Sequence, residues 1–204
     1  MAPRVSQAYR DQRHQSVLQA ADRVFVRLGY NEATMEDVRT EAGLSRGGLY
    51  RYFWNKSALF RALLEEQDHV RVGELRTFAT NGRPLGPQIL ELFTAQIANS
   101  AQEVPRARMI IEFQLAHRDD EALGAFLRSR AQLYEEALAG LLSAAAERGE
   151  LRLRASAAET ARYLLGLHDG VAASLAAGVG SAQGMPPQLI RRMLAAVIGI
   201  DVRD

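Results

Sequence analysis

The sequence predicts an all-α protein in which a small three-helix head joins a larger helical bundle, with about nine helices in total. Hydrophobic residues recur every three or four positions along most of the chain, which is the helical period. No stretch alternates apolar and polar residues as a half-buried strand does. The composition, 48% hydrophobic with six prolines in 204 residues, suits a helical globular protein.

Composition also excludes several classes of protein. With no cysteines, the chain has no disulfide scaffold, thiolate zinc site or thiol nucleophile. The most apolar stretch, residues 161–179, is interrupted by Arg162, His168 and Asp169, so we expect no membrane span. Residues 1–15 are polar and lack the apolar segment of a signal peptide. These features predict a soluble cytoplasmic protein.

Residues 1 to about 10 are expected to form a loose basic arm. The head then begins with one amphipathic helix and a capped second helix. Apolar residues at helical spacing define the first helix, which we expect to end at Gly29. Thr34 is a suitable N-cap for a helix over Met35–Ala42, and Asp37 three residues later completes an approximate capping box. Gly43 ends that helix. The apolar positions of the first helix are Val17, Ala21, Val24, Phe25 and Leu28.

A third, short helix follows the turn at Gly43. Ser45 is its predicted N-cap, and the helix runs from Arg46 to about Phe53. Leu49 and Phe53 form an inward i,i+4 pair, which leaves Arg46, Tyr50 and Arg51 on the outer surface. Two short helices broken at a glycine are typical of a helix-turn-helix, whose second helix enters the major groove of DNA.

The charge is distributed as DNA binding requires. Residues 1–61 hold ten Lys and Arg against six Asp and Glu, a net +4, whereas residues 62–204 hold fifteen against eighteen, a net −3. The basic excess therefore coincides with the predicted helix-turn-helix. Short segments commonly differ by a few charges, so the asymmetry supports the motif without establishing it.

The rest of the chain is predicted to be helical. Asn55 caps a long helix that reaches a loop at residues 81–86, so we divide the chain into a DNA-binding domain, 1–55, and a second domain, 56–204. Residues 149–155 and 178–186 are the predicted flexible connections. Prolines and a Ser156/Glu159 capping box mark several of the helix starts. The five predicted helices are Pro87–Ala101, Pro105–His117, Asp120–Arg148, Ala157–Ala177 and Pro187–Ile200.

The head resembles the N-terminal domain of the TetR/AcrR family of transcriptional regulators. The similarity runs from Val17 to Leu64. A less specific similarity covers Ile111 to Gly170, including EFQLAHRDDEALGAFLRSRAQLYEEAL, ERGEL and a later Leu-His-Asp-Gly. The residues that carry the resemblance in the head are Phe25, Gly29, Tyr30, Thr34, Asp37, Val38, Ala42, Gly43, Ser45, Gly47, Leu49, Tyr50, Tyr52, Phe53, Lys56 and Leu59.

This resemblance implies roles for individual residues. Arg46 and Arg51 are the candidates for reading bases, because a guanidinium pairs bidentately with guanine. Gly47 lets the backbone approach the bases, and Ser45 belongs to the same surface. Packing beneath the recognition helix is the alternative for the two tyrosines, and a solvated helix face is the alternative for the arginines. The candidate phosphate contacts are Thr34, Tyr50, Tyr52 and Lys56.

Arg39 departs from the family pattern, because family members commonly have alanine there, packed closely against the recognition helix. Two interpretations remain open for this residue. Either the helices cross more loosely in this protein, or the side chain extends outward, towards phosphate.

For the second domain, the resemblance implies a homodimer with a pocket for an apolar or amphipathic small molecule that releases the operator. Small residues on the helix from Ala157, namely Gly166, Gly170, Ala173 and Ala177, predict a symmetric four-helix interface with the helix from Pro187. Packing within one subunit is the alternative. The candidate pocket residues are Phe93, Ile97, Phe113, His117, Tyr134 and His168.

Other functions receive little support from the sequence. It has no HExxH, GxSxG or Walker motif, and the four histidines include no i,i+4 pair, so we predict neither an enzyme nor a metal site, and no cofactor. The acids Asp119, Asp120 and Glu121 open a helix, where its dipole stabilises them. A helical ligand-binding or protein-interaction module that has lost operator binding remains the alternative function.

Overall fold

The computed structural model describes residues 7–179 and 186–200, and these residues form nine helices and no strand. The all-α prediction is therefore confirmed for this part of the chain. No helix within it is both long and apolar enough to cross a membrane. The helices are α1 (Gln7–Glu32), α2 (Met35–Glu41), α3 (Arg46–Tyr50), α4 (Lys56–Thr80), α5 (Leu85–Ala98), α6 (Ser100–Ala116), α7 (Glu121–Glu147), α8 (Ala157–Ala176) and α9 (Pro187–Ile198).

The chain divides into two compact units. Unit 1 comprises residues 1–67 and 109–116, and unit 2 comprises residues 68–108 and 117–204. The boundaries thus fall inside α4 and α6. The predicted boundary at residues 55/56 was meant to divide a DNA-binding part of the chain from the rest. It stays a proposal.

Unit 1 is built around four aromatic rings. Phe25 and Phe60 meet edge to face with centroids 4.9 Å apart, and the Tyr30 ring lies 4.9 Å from those of both Phe60 and Phe113. Such aromatic pairs contribute about 0.5–1.5 kcal/mol beyond the area they bury. Phe113 comes from α6 and is fully buried, so the end of that helix is part of the core that supports α1–α3. Aliphatic residues from α1 and α4 complete this core.

Unit 2 has an aliphatic core. α7 packs on α8 and α5 packs on α9, while α5 also contacts α7 and α8. Apolar residues at helical spacing on the facing sides of these helices fill the interior, as the sequence period requires. The core residues include Leu85, Ile89, Leu90, Phe93, Ile97, Leu138, Leu142, Ala161, Leu164, Ile190, Leu194 and Ile198.

Side-chain caps confirm several predicted helix starts. Thr34 and Asp37 form a capping box at α2, and Ser156 and Glu159 form one at α8. In each box the hydroxyl oxygen accepts a backbone N–H three residues on, and the acid accepts the N-cap amide. Asp120 caps α7 by accepting the Leu123 N–H at 3.1 Å, as expected for an acid that opens a helix.

Other predicted boundaries were wrong. α5 begins at Leu85, so Pro87 lies in its first turn, where its missing N–H costs nothing. α6 begins at Ser100 and carries Pro105 inside the helix rather than at its start. α3 ends at Tyr50 instead of Phe53, and α1 already includes residues 7–10, which were expected to form a loose arm. Residues 1–6 of that arm, and 180–185 of a predicted connection, lie outside the described residues.

A buried ion pair joins α4 to α7 within unit 2. The guanidinium of Arg130 donates from Nε and Nη2 to the two oxygens of Asp68 at 2.6 and 2.7 Å. The Tyr134 hydroxyl donates to the same carboxylate at 2.5 Å. Asp68 is only 3% exposed, so its charge depends on these donors for stabilisation. Burial, followed by the hydrogen bond to Asp68, raises the pKa of Tyr134 well above its usual range, which keeps the hydroxyl a donor.

Breaking this cluster should destabilise unit 2. We expect Arg130→Ala to lower the free energy of unfolding by about 3–5 kcal/mol, because it leaves a buried carboxylate without its cation. Tyr134→Phe removes one hydrogen bond to a charged group and should cost about 1–3 kcal/mol. Urea denaturation of the full chain measures both.

The matched control is Arg118→Ala. Arg118 lies 3.6 Å from Asp119 in a pair whose side chains are 74% and 92% exposed, so its removal should change stability by less than about 0.5 kcal/mol. Equal losses from Arg130→Ala and Arg118→Ala would contradict a stabilising role for the buried cluster.

Candidate nucleic-acid interface

The turn between α2 and α3 depends on a glycine and an arginine. Gly43 has φ +62°, a left-handed conformation that favours glycine. The Arg39 guanidinium donates to the Leu44 carbonyl at 2.6 Å and to the two carboxylate oxygens of Glu36 at 2.6 and 2.9 Å. Arg39 therefore braces the turn from its own helix, an arrangement that neither sequence-based interpretation included.

Two contacts hold the short helix α3 in the head: a buried side chain on its inner side and a cap at its N-terminus. Leu49 is fully buried, and the Ser45 hydroxyl accepts the Gly48 N–H at 3.2 Å as the N-cap. A methyl group at Gly48 would lie 3.2 Å from that hydroxyl oxygen, whereas one at Gly47 would meet nothing within 4 Å. Gly48 thus leaves room for the cap, and Gly47 presents bare backbone to the outside.

The outward side of α3 carries the predicted base-reading and contact residues. Arg46, Gly47 and Arg51 are exposed, and Tyr50 is 45% exposed. A five-residue helix that is buried only at Leu49 therefore offers basic and aromatic groups on a single surface. The structure places these four predicted DNA-binding residues together.

Tyr52 differs from Tyr50. It is half-buried, its ring meets the His14 ring with centroids 6.3 Å apart, and the Arg51 guanidinium lies 5.5 Å above it. Phe53, the next residue, is buried against His14 at 5.1 Å. Part of the Tyr52 ring therefore packs within the head against His14 of α1, in line with the packing alternative considered for this residue, while Arg51 lies over it at the surface.

Lys56 has a structural task in addition to the predicted one. Its ammonium group donates to the carbonyls of Tyr30, Asn31 and Ala33 at 2.7, 3.1 and 2.9 Å, and it lies 4.6 Å from the centre of the Tyr30 ring. Burial lowers the pKa of Lys56. Its three protons hold the link between α1 and α2, so what it offers to a phosphate is its charge rather than a hydrogen bond.

Thr34 is also used within the head. Its hydroxyl accepts the Asp37 N–H at 3.1 Å and donates to Asp37 Oδ2 at 2.6 Å, yet the residue remains exposed. The two hydrogen bonds from Thr34, its hydroxyl and its backbone N–H, lower the pKa of Asp37. The predicted contact residue therefore stands at the surface, at the N-terminus of α2.

Trp54 is a surface residue that the sequence interpretation missed. It is the only tryptophan in the chain and is 77% exposed, directly after the buried Phe53. The next residue, Asn55, accepts the Ala58 N–H at 2.7 Å and caps α4. The backbone around Trp54 is therefore fixed while its indole faces outward. The sequence did contain a signal for this residue, because Trp54 is an aromatic residue that does not fit the helical spacing of the apolar residues in the head.

The predicted dimer stripe lies on a solvent-facing side of α8. Gly166, Gly170 and Ala177 are exposed, Ala173 is partly buried, and a methyl group at either glycine would meet nothing within 4 Å. The stripe is thus not packed within this subunit, which was the alternative. Three large apolar side chains are also exposed on these two helices: Tyr163 on α8, and Leu189 and Met193 on α9.

The candidate pocket residues have different surroundings. Phe93 and Ile97 are buried in the core of unit 2, but Phe113 belongs to unit 1. Tyr134 is bonded to Asp68, His168 Nδ1 lies 3.0 Å from Asp169, and His117 is a partly buried C-cap of α6. A crevice in unit 2 is too narrow for a water molecule; it is lined by Ile89, Leu90, Phe93, Leu164, Leu194 and Ile198.

Comparisons with known proteins agree with this geometry. Residues 17–63 match the family model described as "Bacterial regulatory proteins, tetR family". An uncharacterized HTH-type transcriptional regulator, YfiR of Bacillus subtilis, is 28% identical over 174 residues, which is 84% of this chain and 83% of that protein. The HTH-type transcriptional repressor AcnR of Corynebacterium efficiens is 28% identical and covers 82% of this chain and 84% of its own.

A solved structure shows the same fold. FadR of Bacillus subtilis, a transcriptional regulator in complex with stearoyl-CoA, matches with a TM-score of 0.68 and 18% identity over 91% of this chain and 99% of that one. The family and these relatives are regulators rather than enzymes. The head therefore matches the tetR-family model, and the whole chain is similar over most of its length to HTH-type transcriptional regulators and shares its fold with FadR.

Proposed function

We propose that this protein is a cytoplasmic repressor that binds a palindromic operator as a homodimer and is released from it by a small molecule. One observation carries the proposal. The outer surface of α3 presents Arg46, Gly47, Tyr50 and Arg51, while Leu49 and the Ser45 cap fix the helix from behind. A helix fixed in this way can enter the major groove without rearranging its support.

Base reading is assigned to two arginines. Arg46 and Arg51 are both exposed, and a guanidinium donates to O6 and N7 of guanine, a contact worth about 1–3 kcal/mol of discrimination. Gly47 stands beside Arg46 without a side chain, so the backbone of α3 can approach the base edges. The Ser45 hydroxyl serves mainly as the N-cap that holds this end of the helix.

Phosphate contacts orient the head. Tyr50 and Tyr52 offer hydroxyl groups that can donate to phosphate oxygens, although Tyr52 is partly packed. Thr34 is exposed, but its hydroxyl donates to Asp37, so a contact from Thr34 to phosphate requires that hydrogen bond to be exchanged. Lys56 contributes its charge at the N-terminus of α4, where the helix dipole adds to it. Trp54 extends this surface with an exposed ring beside α4.

Dimerisation is assigned to α8 and α9. The stripe of Gly166, Gly170, Ala173 and Ala177 has room above it for the backbone of a second helix. A two-fold interface uses the same patch on both subunits, so the exposed Leu189 and Met193 of α9 would bury against their counterparts. The two recognition helices are then expected about one DNA turn apart, ~34–36 Å, or a multiple of that distance.

The effector is proposed to be an apolar or amphipathic small molecule. The structural relative FadR binds stearoyl-CoA, which is of this chemical class. The crevice beside Phe93 is closed, so binding there requires the aliphatic core of unit 2 to open. The ligand releases the operator only if it binds the opened state more tightly than the closed one. No cofactor is required for this cycle.

Selection of bound fragments from genomic DNA tests the proposal directly. The expected result is an enriched palindromic motif with half-sites separated by one helical turn or a multiple. An absence of any enriched motif would contradict operator binding and favour a module that has kept the head but lost its DNA function. The location of enriched sites would also identify the regulated genes.

Arg46→Ala should relax base preference. We expect it to weaken binding to the selected operator by about 1–3 kcal/mol, with little effect on non-specific DNA, because it removes a base contact. Lys56→Ala is the contrast: it removes one positive charge and the three hydrogen bonds that hold the link between α1 and α2, so it should weaken all sequences alike and reduce the slope of log K against log salt by about one. Fluorescence anisotropy across operator variants and salt concentrations measures both. Identical profiles for the two variants would refute this division of roles.

Gly47→Ala should stabilise α3 and at the same time weaken operator binding. The added methyl group has open space in the head and should stabilise α3 by about 1 kcal/mol, yet it would stand between the helix backbone and the base edges. Hydrogen exchange of the α3 amides should therefore slow while operator affinity falls. Gly48→Ala is the matched control, since its methyl group crowds the Ser45 cap and should remove the gain in stability. Unchanged operator affinity in Gly47→Ala would show that the backbone does not approach the bases.

Gly170→Glu should convert the dimer to a monomer. The glutamate fits the isolated subunit, because nothing lies within 4 Å of the glycine, but it places a charge in the proposed interface. Light scattering coupled to size-exclusion chromatography gives the mass, and operator binding should fall with it. Gly140→Glu is an identical change at an exposed, unobstructed glycine of α7 and should leave the mass unchanged. A dimeric Gly170→Glu variant would exclude this interface.

A further inference from the structure

Gly29 faces a carboxylate from a distant part of the chain. It interrupts α1 with φ +81° and ψ 170°, a conformation that side chains rarely adopt. A Cβ atom placed on Gly29 would lie 2.6 and 3.1 Å from the two carboxylate oxygens of Glu112 in α6. The backbone angle therefore requires glycine at this position, and the missing side chain leaves room for the acid packed against it.

Glu112 and Lys56 both bind the α1–α2 link, which we define as residues 29–34 and which includes the last residues of α1. The Asn31 N–H donates to Oε2 of Glu112 at 3.0 Å. The Lys56 ammonium donates to the carbonyls of Tyr30, Asn31 and Ala33. An anion therefore binds an amide of the link while a cation binds its carbonyls, which fixes the segment between Gly29 and the N-cap Thr34.

The two charges also depend on each other. Burial lowers the pKa of Lys56, whereas the charges of Glu32 and Glu112 act in the opposite direction. Glu112 thus offsets part of the cost of keeping a cation among backbone carbonyls. Neutralising Glu112 would remove one side of the link's support and weaken the other.

The neighbouring residue fixes where Glu112 stands. Phe113 is fully buried, with its ring 4.5 Å from that of Phe60 and 4.9 Å from that of Tyr30. Because moving Phe113 out of this cluster would expose a buried ring, the backbone of α6 is held in place at this point. The carboxylate of the adjacent Glu112 is therefore held next to the link. The link in turn ends at Thr34, the N-cap of α2, and α2 packs against α3.

We propose that Glu112 is a positioning residue for DNA binding. Its carboxylate sets the α1–α2 link, and the link sets the direction in which α2 and α3 leave α1, so that loss of the carboxylate lowers operator affinity without touching DNA. This inference rests on the proposed operator binding. It assigns to a residue of α6, far along the chain, control over the geometry of the helix-turn-helix.

The sign of the effect distinguishes positioning from simple electrostatics. Removing a negative charge from a DNA-binding protein should on its own strengthen binding, because phosphate repulsion falls. Glu112→Gln should instead weaken operator binding by about tenfold, because the Asn31 N–H then donates to a neutral acceptor in place of a charged one and Lys56 loses a nearby negative charge. The salt slope should stay unchanged, because the number of neutralised phosphates is the same.

The matched control is Glu103→Gln on the same helix. Glu103 lies 3.9 Å from Arg106, its side chain is 43% exposed, and the substitution changes the charge identically. It should leave operator affinity unchanged or slightly stronger. Anisotropy with the full-length protein and the selected operator compares the wild type and both variants across salt concentrations.

Hydrogen–deuterium exchange without DNA supplies an independent measurement. Peptides covering residues 29–34 should exchange faster in Glu112→Gln than in the wild type, while the peptide containing Leu142 in unit 2 should be unaffected. Equal exchange in both proteins would overturn the inference, as would faster exchange with unchanged operator affinity. Failure of the wild type to bind any selected DNA would overturn the proposed function and this inference together, whereas normal wild-type binding with an unaffected Glu112→Gln variant would overturn the inference alone.

Discussion

The structure of the head depends on one constraint: α3 is too short to be stable without support from the residues around it. α3 has five residues, two of them glycine, and a helix of this length is unstable in water without external support. That support comes from the buried Leu49, the Ser45 cap and the Arg39 guanidinium on the Leu44 carbonyl. Each holds the inner side or an end of the helix. The outer side is consequently left for contacts with DNA, and its chemistry can vary without unfolding the head.

Several lysine and arginine side chains of the head bind backbone carbonyls or carboxylates within the head itself. Lys56 donates to three carbonyls and Arg39 to one, while Arg23 and Arg27 pair with Glu41. A net charge of +4 over residues 1–61 therefore overstates what the head offers to phosphates as hydrogen-bond donors. Long-range attraction depends on total charge, but base reading depends on which guanidinium groups face outward.

Local patterns predicted the elements well and the connections less well. Caps such as Thr34/Asp37 and Ser156/Glu159 act over three residues, so the sequence displays both partners at once. Pro105 was misplaced at a helix start, because a proline signal is ambiguous when packing favours a longer helix. A polar group on an apolar helix face is ambiguous for a related reason: Tyr134, a candidate pocket residue, donates its hydroxyl to the buried Asp68.

By itself the sequence determined the helical fold, the helix-turn-helix and the surface of α3, because helical period, caps and turn glycines are properties of neighbouring residues. Only the tertiary structure decided what joins residues far apart. The carboxylate of Glu112 at Gly29, the ammonium of Lys56 on the α1–α2 link and the Asp68–Arg130 pair connect positions 23–83 residues apart. Such contacts arise when packing excludes water from polar groups that must then find partners, and no local pattern specifies which partners those are.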